Sequence, residues 1–275
     1  MVRMGNVWDR AAEVLNGRGG MLAGIVVLTL FVPNAIGAAI KAYAGGTTTA
    51  LLVGALVALL ATVIAIWGQL AIIAASTDPA IDRAGAIAQA NARLPAALGV
   101  GLVLAIVLLL LFLPAGGLLV RGGVDWSAMA AGVPSTPSAP GAVALAGLYT
   151  VVLGIALLFV GARLLPLYAV VLHERLGLGA VARCWRLTRR HTWRLVGVIL
   201  LFLVVLLVAT WAAQAVTGLV FRLALGAEAQ ATVALLAALA AQAVSAGFSL
   251  IAIVFSAQLY VALVAREQAA AGLPA

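Results

Sequence analysis

The chain has little charge for its length. Asp, Glu, Lys and Arg make up 9% of its 275 residues, where a soluble domain carries about 25%. With a hydrophobic fraction of 65% and a mean hydropathy of +1.22, that shortage excludes an ordinary water-soluble fold. Cysteine is reduced to Cys184, which excludes an internal disulfide and any CxxC motif. The only histidines are His173 and His191. With Glu174 and Cys184 they lack the close, regular spacing of a zinc site, so no metal and no cofactor is expected. Carboxylates are missing from the apolar runs, and Asp9, Asp78, Asp82 and Asp125 all sit in polar connectors. There is no Ser-His-Asp arrangement, Gly-rich phosphate loop or HExxH, and catalysis needs a positioned nucleophile, acid or base. A non-enzymatic protein is expected. The missing intramembrane carboxylate also argues against a proton- or cation-coupled carrier.

What the chain does have is long, continuous apolar runs. Membrane-barrel strands alternate over about ten residues, so these runs read as helices, each needing roughly 20 residues to cross a bilayer. Six spans are expected, at about Met21–Ile40, Ala50–Ala75, Pro95–Val120, Ala142–Leu172, Leu195–Phe221 and Ala231–Ala265. The first run is longer than a typical signal h-region, so no cleavable signal is expected. Val7–Leu15 reads as a separate interfacial helix anchored by Trp8. Pro33 should kink span one, because it has no N–H to give the preceding turn. Span six would exceed about 50 Å at ~1.5 Å per residue, so it must tilt, break or project past the bilayer. The expected fold is all-α and polytopic, a single six-span domain. A first unit covers about 1–120, an outer loop 121–141, and a second unit 142–275.

Lysine is also scarce. Lys41 is alone against fifteen arginines, a bias that with the abundant Ala and Gly suggests a high-GC bacterial genome. The net charge of +8 needs no nucleic acid. Basic residues beside spans orient a protein and meet anionic lipid. With the N-terminus inside, the inner segments hold twelve cations and the outer ones three, Lys41, Arg121 and Arg222. The expectation is a bacterial cytoplasmic-membrane protein with both termini and both polar connectors in the cytoplasm.

Those two connectors resemble each other weakly. Gly85-Ala-Ile-Ala matches Gly179-Ala-Val-Ala, Arg93-Leu94 matches Arg186-Leu187, and Leu98-Gly99-Val100 matches Val196-Gly197-Val198. Each unit then reads span, amphipathic connector, span. That pattern implies a parallel repeat about an axis along the membrane normal. Interfacial helices are expected between spans two and three and between spans four and five.

The second connector carries the basic residues. From Gly179 to Arg194 the spacing is helical, with Leu178, Val181, Trp185, Thr188 and Thr192 on one stripe. Arg183, Arg186, Arg190 and Arg194 fall on another face, and Arg189 and Trp193 extend the same candidate surface. Such a helix lies in the interface, Trp at headgroup depth and arginines toward phosphate. Each cation near an anionic surface contributes about 1 kcal/mol. The plainer reading is a topology signal without a ligand.

The stretches RLLPLYAVVLHE and AVARCWRLTRRHTWRLVGVIL, about 35 residues together, resemble the bacterial glycerophosphodiester phosphodiesterase membrane-domain family. The matching positions are Arg163, Pro166, Glu174, Arg183, Trp185, Leu187, Thr188 and Trp193. Cys184 stands where that family usually has Ser, and Arg190 where Gly is common. The resemblance implies a multi-span membrane domain, sometimes joined to a phosphodiesterase. It implies no catalysis here, since the chain has no room for the soluble catalytic barrel.

A second candidate site lies within the spans. Gln242, Ser245, Ser249 and Ser256 form one stripe down span six, which Gln69, Gln214 and Thr217 could face. It reads either as a hydrated path or as interhelical hydrogen bonding, worth about 0.6 kcal/mol per contact. Arg163 is the one charge inside an expected span, where it costs at least about 2.5–3.5 kcal/mol. A helix break at Pro166 or snorkelling of the side chain would relieve that cost, but by the repeat Arg163 aligns with Gln69, so it is expected to point inward toward Gln69 or the span-six stripe. The functional expectation is an accessory or scaffold protein that engages anionic lipid, a protein partner or a second copy of itself through the basic helix. The alternative is a small transporter or lipid-handling permease that uses the stripe.

Overall fold

The computed structural model describes residues 4–43, 48–125, 138–189 and 192–270. Every regular element among them is helical. Six helices are long and apolar enough to cross a membrane: Met4–Tyr43, Thr49–Thr77, Arg83–Arg121, Pro140–His173, Thr192–Leu225 and Gln230–Ala270. The chain is therefore a multi-pass helical membrane protein. Helices suit the bilayer because each satisfies its own backbone hydrogen bonds.

The first helix differs from expectation. α1 (Met4–Val26) passes through a π-helical turn at Val27–Phe31 directly into α2 (Val32–Tyr43). No separate interfacial helix precedes span one. The reason is tertiary: Val7 is buried against Leu195, Phe255, Leu259 and Leu263, and the Trp8 ring lies 5.7 Å from that of Phe255. An apolar partner thus extends as far as α1 does. The widened turn precedes Pro33, where an N–H is missing from the ladder. Thr29, buried in that turn, donates to the Ile25 carbonyl at 2.8 Å. A Cβ on Gly68 of α3 (Thr48–Thr77) would fall inside the Thr29 side chain. The absence of a side chain at Gly68 is what lets the two helices meet.

After α3 the chain turns through an Asx turn, Asp78 Oδ1 accepting from Ala80 N–H at 2.8 Å. It restarts with Asp82 as N-cap, Oδ1 accepting from Gly85 N–H at 2.8 Å. This is the usual role of a short acidic side chain at that position. α4 then runs unbroken from Arg83 to Arg121, so the first amphipathic connector forms the opening turns of span three rather than a helix of its own. Ala86 and Ala90 bury that segment's inner face.

Span four also differs. α5 (Pro140–Leu164) stops at a turn over Leu165 and Pro166, and α6 (Leu167–His173) follows. Proline removes one N–H and clashes with the preceding turn. Glu174 closes α6, donating its N–H to the Val170 carbonyl, and Arg175 takes a left-handed φ of 57°. α7 (Gly179–Thr188) is the separate basic helix; α8 (Thr192–Leu225) and α9 (Gln230–Ala270) complete the bundle. α9 does not break. At 41 residues it spans roughly 60 Å, and its Ile253–Leu263 portion is deeply packed.

The core sits at one end. Leu70–Ala75 of α3, Ala169–Val171 of α6, and Val254, Ala257 and Leu259 of α9 are all at most 1% exposed. Elsewhere Leu51, Leu109, Leu148, Leu207 and Leu223 stand outward, as the hydrocarbon of a bilayer allows. The buried end is where the connectors after α3 and α6, the start of α1 and the end of α9 gather, and it positions the candidate site.

Candidate functional site at the basic end of the bundle

The terminal carbonyls of α3 lack intrahelical partners. Two of them are met by side chains from other helices. Arg18 Nη1 donates to Ala75 O at 2.8 Å, and also reaches Asp78 O at 3.2 Å and Ile81 O at 3.0 Å, while Nη2 bonds Pro79 O. Gln258 Nε2 donates to Ser76 O at 2.6 Å in a buried position. Thr77 Oγ1 lies 3.0 Å from His173 Nε2, and the His173 ring stacks on Tyr260 at 5.5 Å.

Arg183 is the centre of the ionic network. Its Nε donates to Glu174 Oε1 and Oε2 at 3.0 and 2.8 Å, and Nη1 and Nη2 donate to Glu267 at 2.7 and 2.5 Å. Its side chain is 16% exposed. The guanidinium fork fits this paired recognition and ties the end of α6, α7 and the end of α9 together. Hydrogen bonds to Glu267 raise the Arg183 pKa further, against the opposing effect of burial and with help from Glu174. Tyr260 Oη donates to Glu174 at 3.4 Å. Arg183 therefore does not face lipid phosphate as its place on the basic stripe suggested; its charge is spent inside the protein. Burial, then the nearby Glu174, pushes the Cys184 thiol up to about 12, Arg183 partly opposing.

Arg163 is held differently from expectation too. Its guanidinium carbon lies 4.2 Å from the centroid of the Trp185 ring, not against Gln69 or the span-six stripe. The break at Pro166 brings the end of α5 beside α7, and Thr188 Oγ1 shares its proton between Cys184 O at 2.8 Å and Arg163 O at 3.3 Å. Trp185 stays 43% exposed with this cation on its face. Trp193 is 77% exposed and meets Phe159 edge-on at 4.9 Å. Arg186, Arg189 and Arg194 are exposed, while Arg190 and His191 lie outside the described residues.

The intramembrane residues are not drawn into one cluster by any hydrogen bond between them. Ser249 Oγ donates back to Ser245 O at 2.8 Å within α9. Gln242 Nε2 donates to Asn34 O at 3.4 Å, and its Oε1 is buried without a hydrogen-bond partner among the described residues. Gln69 is half-buried in α3, beside Gly68.

Sequence reasoning missed four contributors: Arg18, Gln258, Tyr260 and Glu267. Only Glu267 carried a signal, since an acid near a helix C-terminus opposes the macrodipole and needs a cation nearby. No group of His, Cys, Asp and Glu suited to a metal ion occurs among the described residues. Compared with protein-family models, with curated proteins and with solved structures, the chain matches none. The fold and site thus define a class, a multi-pass membrane protein with six membrane-length helices and an ionically clamped basic end.

Proposed function

We propose that the protein is a non-enzymatic accessory or scaffold of a bacterial cytoplasmic membrane, engaging anionic lipid or a protein partner through α7 and the start of α8. The observation that carries this is a division of labour among the arginines. Arg183 is consumed in holding the fold, whereas Arg186, Arg189 and Arg194 stand exposed beside Trp185 and Trp193. Exposed Trp beside Arg suits the headgroup layer, where aromatic rings anchor and cations meet phosphate. Both termini and both connectors are cytoplasmic in this reading, by the charge bias between segments.

The weak repeat remains part of this reading on its sequence matches alone, Gly85 with Gly179 at an offset of 94; the helices α4 and α7 begin 96 positions apart, at Arg83 and Gly179. The resemblance to the phosphodiesterase membrane-domain family rests on its one stretch of sequence and bears on membrane architecture alone.

The test is co-flotation of the purified full chain, in detergent-destabilised vesicles, with phosphatidylglycerol against phosphatidylcholine. Anionic lipid should be enriched around the wild type, and less so around Arg186→Gln/Arg189→Gln/Arg194→Gln. Equal enrichment would remove the reading. A permease is the second reading, favoured by the unpartnered Gln242 Oε1 within the bundle. Solute flux lost in Gln242→Leu would select it.

A further inference from the structure

Arg186 of α7, Arg189 just past its end and Arg266 of α9 line a cavity of about 230 Å³, together with Leu187, Leu263 and Glu267. We infer that this cavity binds a phosphate group, and that Arg186 and Arg189 are its ligands. The inference rests on the lipid-engaging reading above and names the chemistry of its site.

Charge, shape and size each point this way. Arg186 and Arg189 line the cavity beside one carboxylate, that of Glu267, which already accepts two hydrogen bonds from Arg183, at 2.7 and 2.5 Å. Arg186 and Arg189 make no hydrogen bond or ion pair among the described residues. α9 ends here, and the negative end of its dipole disfavours an anion; the full charges of Arg186 and Arg189 outweigh a half-charge. Guanidinium forks match phosphate oxygens two at a time, and Arg stays charged at every relevant pH. Leu187 and the buried Leu263 give the cavity an apolar wall, which strengthens charge interactions above it. The volume lies below the roughly 300–1,000 Å³ of drug-sized sites, so it suits a headgroup rather than a larger organic molecule. Trp185 and Trp193 place the same end at headgroup level.

Phosphate chemistry has two sources here, a lipid headgroup and soluble phosphate. The test uses the delipidated full chain in detergent, with phosphatidylglycerol, phosphatidylcholine and inorganic phosphate as probes, read by native mass spectrometry and titration calorimetry. The wild type should bind one phosphatidylglycerol in preference to phosphatidylcholine. Arg186→Gln/Arg189→Gln should weaken it by about tenfold or more, the scale of a lost charged hydrogen bond. Arg186→Lys/Arg189→Lys should fall between, keeping charge but losing the fork. Arg194→Gln, exposed but outside the lining, should change affinity less than about twofold. Competition by inorganic phosphate assigns the site to soluble phosphate; binding of the lipid without such competition assigns it to a headgroup. If Arg194→Gln weakens binding as much as Arg186→Gln/Arg189→Gln, the pocket is wrong and a diffuse basic surface remains. If Arg186→Gln/Arg189→Gln binds like the wild type, the pocket is wrong. If the wild type prefers neither phosphatidylglycerol nor phosphate, both this site and the lipid-engaging function fail.

Discussion

The guanidinium of Arg163 lies over the face of Trp185, 4.2 Å from the ring centroid. A cation near the end of a membrane helix thus meets an aromatic face on the adjoining basic helix. Half-exposed cation–π pairs contribute about 0.5–1 kcal/mol. In a double-mutant cycle with Arg163→Leu and Trp185→Leu, thermal melting in detergent should show coupling of that size, with Arg163→Lys retaining part of it. Trp185 emission, with the other tryptophans replaced, should change in Arg163→Leu. Additive losses would mean that the stacking does no energetic work.

Arg183 should be the most sensitive position at this end of the bundle. Its removal leaves the carboxylates of Glu174 and Glu267 facing a shared gap. The network is neither fully buried nor fully solvated, between cases worth about 3–5 and about 0.2–1 kcal/mol. Arg183→Ala should therefore cost about 2 kcal/mol. Glu267→Gln should cost under about 1 kcal/mol, because that side chain is 50% exposed and screened by solvent. Melting curves of the two variants decide the order, and the reverse order would contradict a clamp centred on Arg183.

Cys184 is fully buried in α7, and its thiol is pushed up to about 12, first by burial and next by Glu174. The thiolate is the reactive form. At pH 8 the native protein should alkylate with iodoacetamide orders of magnitude more slowly than after denaturation. The linkage has one sign. A raised pKa favours the folded state below the ordinary thiol value of 9.0, and that contribution is lost as pH rises toward about 12. Cys184→Ser should flatten the alkaline end of the stability profile. Rapid native labelling at pH 8 would show the thiol to be accessible.

Gly68 is predicted to tolerate no side chain. A Cβ there would sit 2.5 Å from the Thr29 Cβ, at the π-helical turn. Overpacking of this kind costs about 1–3 kcal/mol. Gly68→Ala should lower the melting temperature, and Thr29→Ala in combination with it should restore only part of the loss, because the Cβ at position 29 remains. A neutral Gly68→Ala would mean that the two helices separate freely.

Membrane orientation can be read at two exposed positions, Ala80 in the turn after α3 and Glu228 between α8 and α9. In a Cys184→Ala background, an impermeant maleimide added to intact cells should label Glu228→Cys and spare Ala80→Cys. The opposite pattern would invert the topology.

Composition and periodicity alone determined that this chain spans a membrane with six helices. Apolar runs of this length have no other way to satisfy their backbone, and that constraint acts locally on each stretch. The proline in span four and the acid before α4 were local signals of the same kind, and the helix ends lie near them. The joining of the first interfacial stretch to span one was not legible, because it depends on Val7 finding Phe255 and Leu263 in a helix at the far end of the chain. Nor was the fate of the arginines. Arg183 and Arg186 lie on one face of the same helix and look alike in sequence. Only tertiary structure placed Glu174 and Glu267 beside the first, leaving the second at an open cavity. Charge placement is decided by which partners arrive from distant helices, and a single stretch of sequence holds no record of them.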